Sequence, residues 1–98
     1  MEYITVELLK AISDPIRLSI VQKLFKYEEL CACNLLDDYQ ITQPTLSFHM
    51  KKLTQSGLVS SRKDGTWVKY KINSEAYQKL VDELTFEKSS EVCTSDCQ

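Results

Sequence analysis

The stretch that decides the fold is Thr42–Gly57, TQPTLSFHMKKLTQSG, continued by Leu58–Asn73, LVSSRKDGTWVKYKIN. Thr42 is a residue type that caps helices, and Pro44 fits a first turn, where no backbone N–H is needed. Leu46, Met50 and Leu53 recur at helical spacing, and Gly57 suits a left-handed C-terminal cap. From Gln43 to Ser56 there are two lysines and no Asp or Glu, which is unusual for a solvated surface helix. After Gly57 the period changes. Leu58–Arg62 and Thr66–Asn73 read as strands joined at Lys63-Asp64-Gly65, where Asp-Gly signals a hairpin. Trp67, Val68, Tyr70 and Ile72 give the second strand its aromatic and β-branched content. Trp67 is expected to pack behind the hairpin.

Upstream, Ile4, Leu8, Leu9 and Ile12 mark a short amphipathic helix over residues 3–12. Asp14 and Pro15 then cap and begin a helix running to about Lys26, with Ile16, Ile20, Val21, Leu24 and Phe25 as its apolar stripe. A short third helix covers about Cys33 to Tyr39 and buries Leu35, Leu36 and Tyr39. Gln40-Ile41 make a tight turn into the fourth helix. Downstream, Asn73 or Ser74 caps a last helix with Ala76, Leu80, Val81 and Leu84 on one face. Residues 1–86 are expected to form one domain, and the polar residues 87–98 a flexible Cys-containing tail.

The expected class is α+β, mainly α: helix, helix, helix, recognition helix, hairpin, helix. The short helix, tight turn and amphipathic helix make a helix-turn-helix, and the charged hairpin makes a wing. The 98 residues, 43% hydrophobic and 27% charged, fit a globular domain and too little chain for two. No run of about 18 apolar residues exists, and the N-terminus lacks the basic start of a secretion signal, so the expected compartment is the cytoplasm. With only Gly57 and Gly65, the chain offers no phosphate-cradling glycine loop, and no catalytic residue is expected.

Charge is segregated. The net charge is −2, but Gln43–Lys71 holds six basic residues against Asp64 alone, or +5, leaving −7 elsewhere. A local basic patch is what phosphate contact requires. On the fourth helix Gln43, Thr45, Ser47 and His49 can bond base edges or phosphates, and Lys51 and Lys52 suit phosphate. Arg62 and Lys63 are expected near phosphate from the wing. Thr42 reads as a cap rather than a DNA ligand.

The segments ELCAC (Glu29–Cys33), TQPTLSFHMKKL (Thr42–Leu53) and GLVSSRKDGTWVKY (Gly57–Tyr70) match the ArsR/SmtB family of bacterial winged-helix metal-sensing repressors in order and spacing. The chain resembles that family over about residues 3–86. The resemblance implies a homodimer formed through the first and last helices. It implies binding to double-stranded operator DNA, an imperfect inverted repeat, without any cofactor, and release when metal binds. It implies no membrane partner. Two positions depart from the family pattern. Gln40 stands where a turn glycine is common, and Phe48 where a polar residue is usual; an apolar ring there can touch a thymine methyl.

The four cysteines fall in two pairs, Cys31-x-Cys33 and Cys93-x-x-x-Cys97. In a cytosolic chain metal or redox roles outrank structural disulfides. By itself Cys-x-Cys is a weak signal, because residues two apart on a helix face away from each other. The resemblance places Cys31 and Cys33 in a soft-metal site before the recognition helix, with arsenite or antimonite as inducer. Both sulfurs must then turn to one ion, distorting the first helical turn. A third ligand could come from Cys93 or Cys97, or from outside the protein, since Leu36 stands where some arsenic sensors carry a further Cys. All four thiolates together would suit Cd²⁺ or Pb²⁺. A further alternative is a redox sensor in which a cysteine pair closes a disulfide. The zinc-sensing branch's site on the last helix is not expected, because Asp82 and Glu83 have no imidazole beside them.

Overall fold

In the computed structural model the described residues are 3–87. The elements are α1 (Tyr3–Ala11), α2 (Pro15–Tyr27), β1 (Glu29–Cys31), α3 (Ala32–Tyr39), α4 (Gln43–Ser56), β2 (Val59–Asp64), β3 (Trp67–Ile72) and α5 (Ser74–Leu84). The architecture is α+β, mainly α: α3 and α4 form the helix-turn-helix, and β2–β3 form the wing.

Local chemistry sets the helix ends. Asp14 Oδ2 accepts the backbone N–H groups of Ile16 at 2.9 Å and Arg17 at 3.1 Å, starting α2 at Pro15. Thr42 Oγ1 accepts from Thr45 N–H at 3.3 Å at the start of α4, and Asn73 Oδ1 accepts from Glu75 N–H at 3.1 Å at the start of α5. Gly57 closes α4 at φ 89°. Gln40 closes α3 in the left-handed region, φ 51° and ψ 46°, where a side chain costs roughly 1–2 kcal/mol relative to glycine.

The strand order is β1-β3-β2, antiparallel throughout. Asp64 pairs with Trp67, so Gly65 and Thr66 form the hairpin loop, one residue beyond the expected Lys63-Asp64-Gly65. Gly65 takes φ 67°, the left-handed conformation that a tight hairpin demands. β1 is absent from the sequence reading. Three residues are too few to show a period, and the partner strand lies some forty residues downstream.

Leu8, Ile20, Leu24, Leu35, Met50, Leu53 and Leu58 are fully buried and join α1 to α4 and the start of the wing in one core. Several expected core residues are instead on the surface. Ile4, Leu9, Phe25 and Leu84 are all exposed. Phe25 packs edge-on against Tyr77, ring centroids 4.4 Å apart, at the rim between α2 and α5. Trp67, next to the hairpin loop, is 43% exposed and borders a cleft with Leu36 of α3 and Gln43 and Leu46 of α4, outside the buried core.

Candidate nucleic-acid interface and thiol site

α4 turns Leu46, Met50 and Leu53 inward. Gln43, Thr45, Ser47, Phe48, Lys51 and Lys52 are all exposed. Phe48 is 55% exposed and lies edge-on to His49, and Lys52 Nζ stands 5.4 Å from its ring centroid. The outer face therefore combines hydroxyls, an amide, two cations and one apolar ring. Such a face can bond phosphates and base edges and touch a methyl group.

His49 departs from the expected base-reading role. Its side chain is turned inward, and the residue is only 7% exposed. Arg17 Nη1 donates to His49 Nδ1 at 3.1 Å. Arginine has no acceptor, so Nδ1 must be the unprotonated nitrogen of the ring. Arg17 Nε donates to the Ala11 carbonyl at 2.7 Å, and Asp14 Oδ2 lies 3.9 Å from His49 Nδ1. Backbone donation from Arg17 holds the Asp14 carboxyl below the usual range, against some desolvation and helped by Ile16 N–H and the Arg17 guanidinium. One polar knot thus ties the end of α1 and the start of α2 to the middle of α4. The signal was present in the spacing: His49 is three residues after Leu46 and four before Leu53, on the buried stripe.

On the wing, Arg62 is engaged. Its Nε and Nη2 each donate at 2.9 Å to the two carboxylate oxygens of Glu29. That bond lowers the Glu29 pKa and raises that of Arg62. In the DNA-free chain the Arg62 guanidinium is thus held by a carboxylate from β1. Lys69 pairs with Asp64 at 3.0 Å, which holds the Asp64 carboxyl below its usual range. Among the described residues, Lys51, Lys52, Lys63 and Lys71 have no acidic partner within ion-pair distance. Glu29 was not legible as a wing residue because its contact depends on β1.

Cys31 ends β1 and caps α3 with extended backbone, φ −82° and ψ 152°, whereas Cys33 lies in the first helical turn. The pair straddles a strand–helix junction, so the two side chains are not forced apart as they are two residues apart on a regular helix. The two sulfurs meet, joined as a disulfide across a Cα–Cα distance of 5.2 Å. Cys33 N–H donates to Cys31 Sγ at 3.0 Å, and Asn34 Oδ1 accepts from Cys31 N–H at 3.0 Å. Among the described residues no three His, Cys, Asp or Glu side chains cluster as a metal site. Cys93 and Cys97 lie outside the described residues.

Comparison with known proteins agrees with this arrangement. Residues 14–61 match the family described as "Bacterial regulatory protein, arsR family". The chain is 50% identical over 68 residues to the arsenical resistance operon repressor of Staphylococcus xylosus, covering 69% of this chain and 64% of that protein, under two thirds of its length. It is 42% identical over 83 residues to the arsenical resistance operon repressor of Staphylococcus aureus, covering 85% of this chain and 79% of that protein. The solved structure of HlyU from Vibrio cholerae superposes with a TM-score of 0.71 at 31% identity, covering 85% of this chain and 94% of that one. With its α3–turn–α4 unit, its wing and its sequence relatives, the chain belongs to the ArsR family of bacterial transcriptional regulators.

Proposed function

We propose that the chain is a cytoplasmic, homodimeric repressor that binds an imperfect inverted repeat in operator DNA and is released by arsenite or antimonite. The observation that carries the reading is the convergence of Cys31 and Cys33 at the junction that leads through α3 and one tight turn into α4. Two converging sulfurs fit a thiophilic trivalent ion. In the reduced form, each thiol condenses with one hydroxyl of arsenious acid, releasing one water per As–S bond. The third position is taken by Cys93 or Cys97 or by an external ligand. Moving either sulfur disturbs the cap of α3, and α3 ends at Gln40, which leads directly into the turn before α4. A tenfold loss of DNA affinity needs only about 1.4 kcal/mol of coupling. Gln43, Thr45, Ser47, Lys51, Lys52 and Lys63 form the DNA face. Exposed Ile4 and Leu9 on α1, with Leu84 and Phe86 at the end of α5, support dimerisation through these helices.

The disulfide favours one second reading, in which oxidation of Cys31 and Cys33 is itself the releasing event. The test is fluorescence anisotropy of reduced protein on its promoter, with arsenite, antimonite, Cd²⁺, Pb²⁺ and hydrogen peroxide added separately. Each titration is repeated with Cys93→Ser and Cys97→Ser. Release by arsenite that survives loss of the tail thiols supports the first reading. Release by Cd²⁺ or Pb²⁺ alone, lost with the tail thiols, replaces it with a four-thiolate sensor; release by peroxide alone replaces it with a redox sensor.

A further inference from the structure

We infer that Glu29 and Arg62 form a clamp through which the thiol pair acts on the wing as well as on the recognition helix. The inference rests on the reading of Cys31 and Cys33 as the sensing pair. β1, the strand that ends in Cys31, is the third strand of the wing's own sheet, with Glu29 opposite Lys71, Leu30 opposite Tyr70 and Cys31 opposite Lys69. Glu29 reaches past β3 to β2, where Arg62 grips both of its carboxylate oxygens at 2.9 Å. Such a two-point fork fixes direction as well as distance, which a lysine point charge does not.

The backbone just before the clamp is strained. Glu28 joins α2 to β1 at φ 65° and ψ −56°, the region of the rare γ-turn. A side-chain-bearing residue persists there only when its surroundings hold it, and such residues cluster at switch segments. The clamp on the next residue is one such restraint. β1 is therefore fixed at Glu29 to the wing and at Cys31 to α3, with only Leu30 between. A displacement of Cys31 reaches Glu29 within two residues, and the fork carries it to Arg62 and β2. The recognition helix receives the same event through α3 and Gln40. Arg62 is then a positioning residue, and Lys63 is the wing's cation for phosphate.

The experiment uses the full-length reduced protein on its promoter with and without arsenite. Wild type is compared with Glu29→Gln, Arg62→Gln, the double variant and Arg62→Lys. Arsenite uptake by the free protein is followed by sulfur-to-arsenic absorption in the ultraviolet, and DNA affinity is measured across a salt series. Wild type should lose affinity at least about tenfold with arsenite. Each single Gln variant should take up arsenite and keep the wild-type salt slope, yet be released only about threefold or less. The double variant should be no worse than either single, as expected for residues acting as one unit. Arg62→Lys should recover part of the release. Three results would overturn the clamp: Gln variants released as fully as wild type, additive losses in the double variant, or a salt slope flattened by about one in Arg62→Gln, which marks a phosphate contact. A wild type that arsenite does not release would overturn the functional reading itself, and the clamp with it; the wild-type arm alone decides that.

Discussion

The recognition helix and the wing carry the same sign of charge but are secured by different means. α4 buries Leu46, His49, Met50 and Leu53, so the core and the Arg17 knot fix its orientation. In the wing strands, Val59 alone is buried, and every later residue of β2 is exposed. The backbone ladder and exposed ion pairs hold the wing instead. The difference teaches where adjustment is cheap. A regulator can shift a solvent-exposed ladder without opening its core, because such segments sit at the low end of local stability.

The largest expected effect lies in the core under α4. Leu53→Ala should cost about 2–5 kcal/mol, read from urea unfolding, because the side chain is fully buried. Ser61→Ala, at an exposed position of the wing, should stay within about 0.5 kcal/mol. Equal losses at both positions would break the comparison.

His49→Ala comes next. It leaves a part-buried Arg17 N–H without its acceptor, which should cost about 1–3 kcal/mol of stability. DNA affinity should fall with the salt slope unchanged, and His49→Asn, which keeps an acceptor near the Nδ1 position, should recover much of it. A slope flattened by about one would instead make His49 a phosphate contact.

Acid should act on the same knot. The folded-state pKa of Asp14 is lowered, so its contribution to stability is present above the unfolded carboxylate range and is lost as pH falls through the folded value. Unfolding monitored from pH 6 downward should show wild type losing stability below about pH 4. Asp14→Asn, which keeps a capping oxygen without the charge, should show a shallower loss. Parallel curves would remove Asp14 from the acid response. The smallest effects are those of single surface cations. Lys52→Ala and Lys63→Ala should each weaken DNA binding across all sequences and flatten the salt slope by about one.

What was legible in the sequence follows from range. The five helices and the hairpin were readable because caps, periodicity and the Asp-Gly turn act within a few residues. β1 was not, since Glu29–Cys31 is a strand only by virtue of β3. Everything that depends on β1 was hidden with it: the strand–helix junction that lets Cys31 and Cys33 converge, and the carboxylate that engages Arg62. His49 is a different kind of miss. Its polar character pointed outward while its spacing pointed inward, and the part-buried Arg17 partner let the spacing win. Phe25 and Leu84 show the converse, apolar residues on the expected stripe that α2 and α5 leave uncovered in the single chain.

The most direct test of the central claim, that Cys31 and Cys33 govern DNA binding, is one anisotropy experiment with reduced Cys31→Ser/Cys33→Ser protein on its promoter, run beside wild type with arsenite added. The double variant should bind DNA like wild type and stay bound at arsenite concentrations that release wild type. A double variant that arsenite still releases would contradict that claim and place the sensing site elsewhere in the chain.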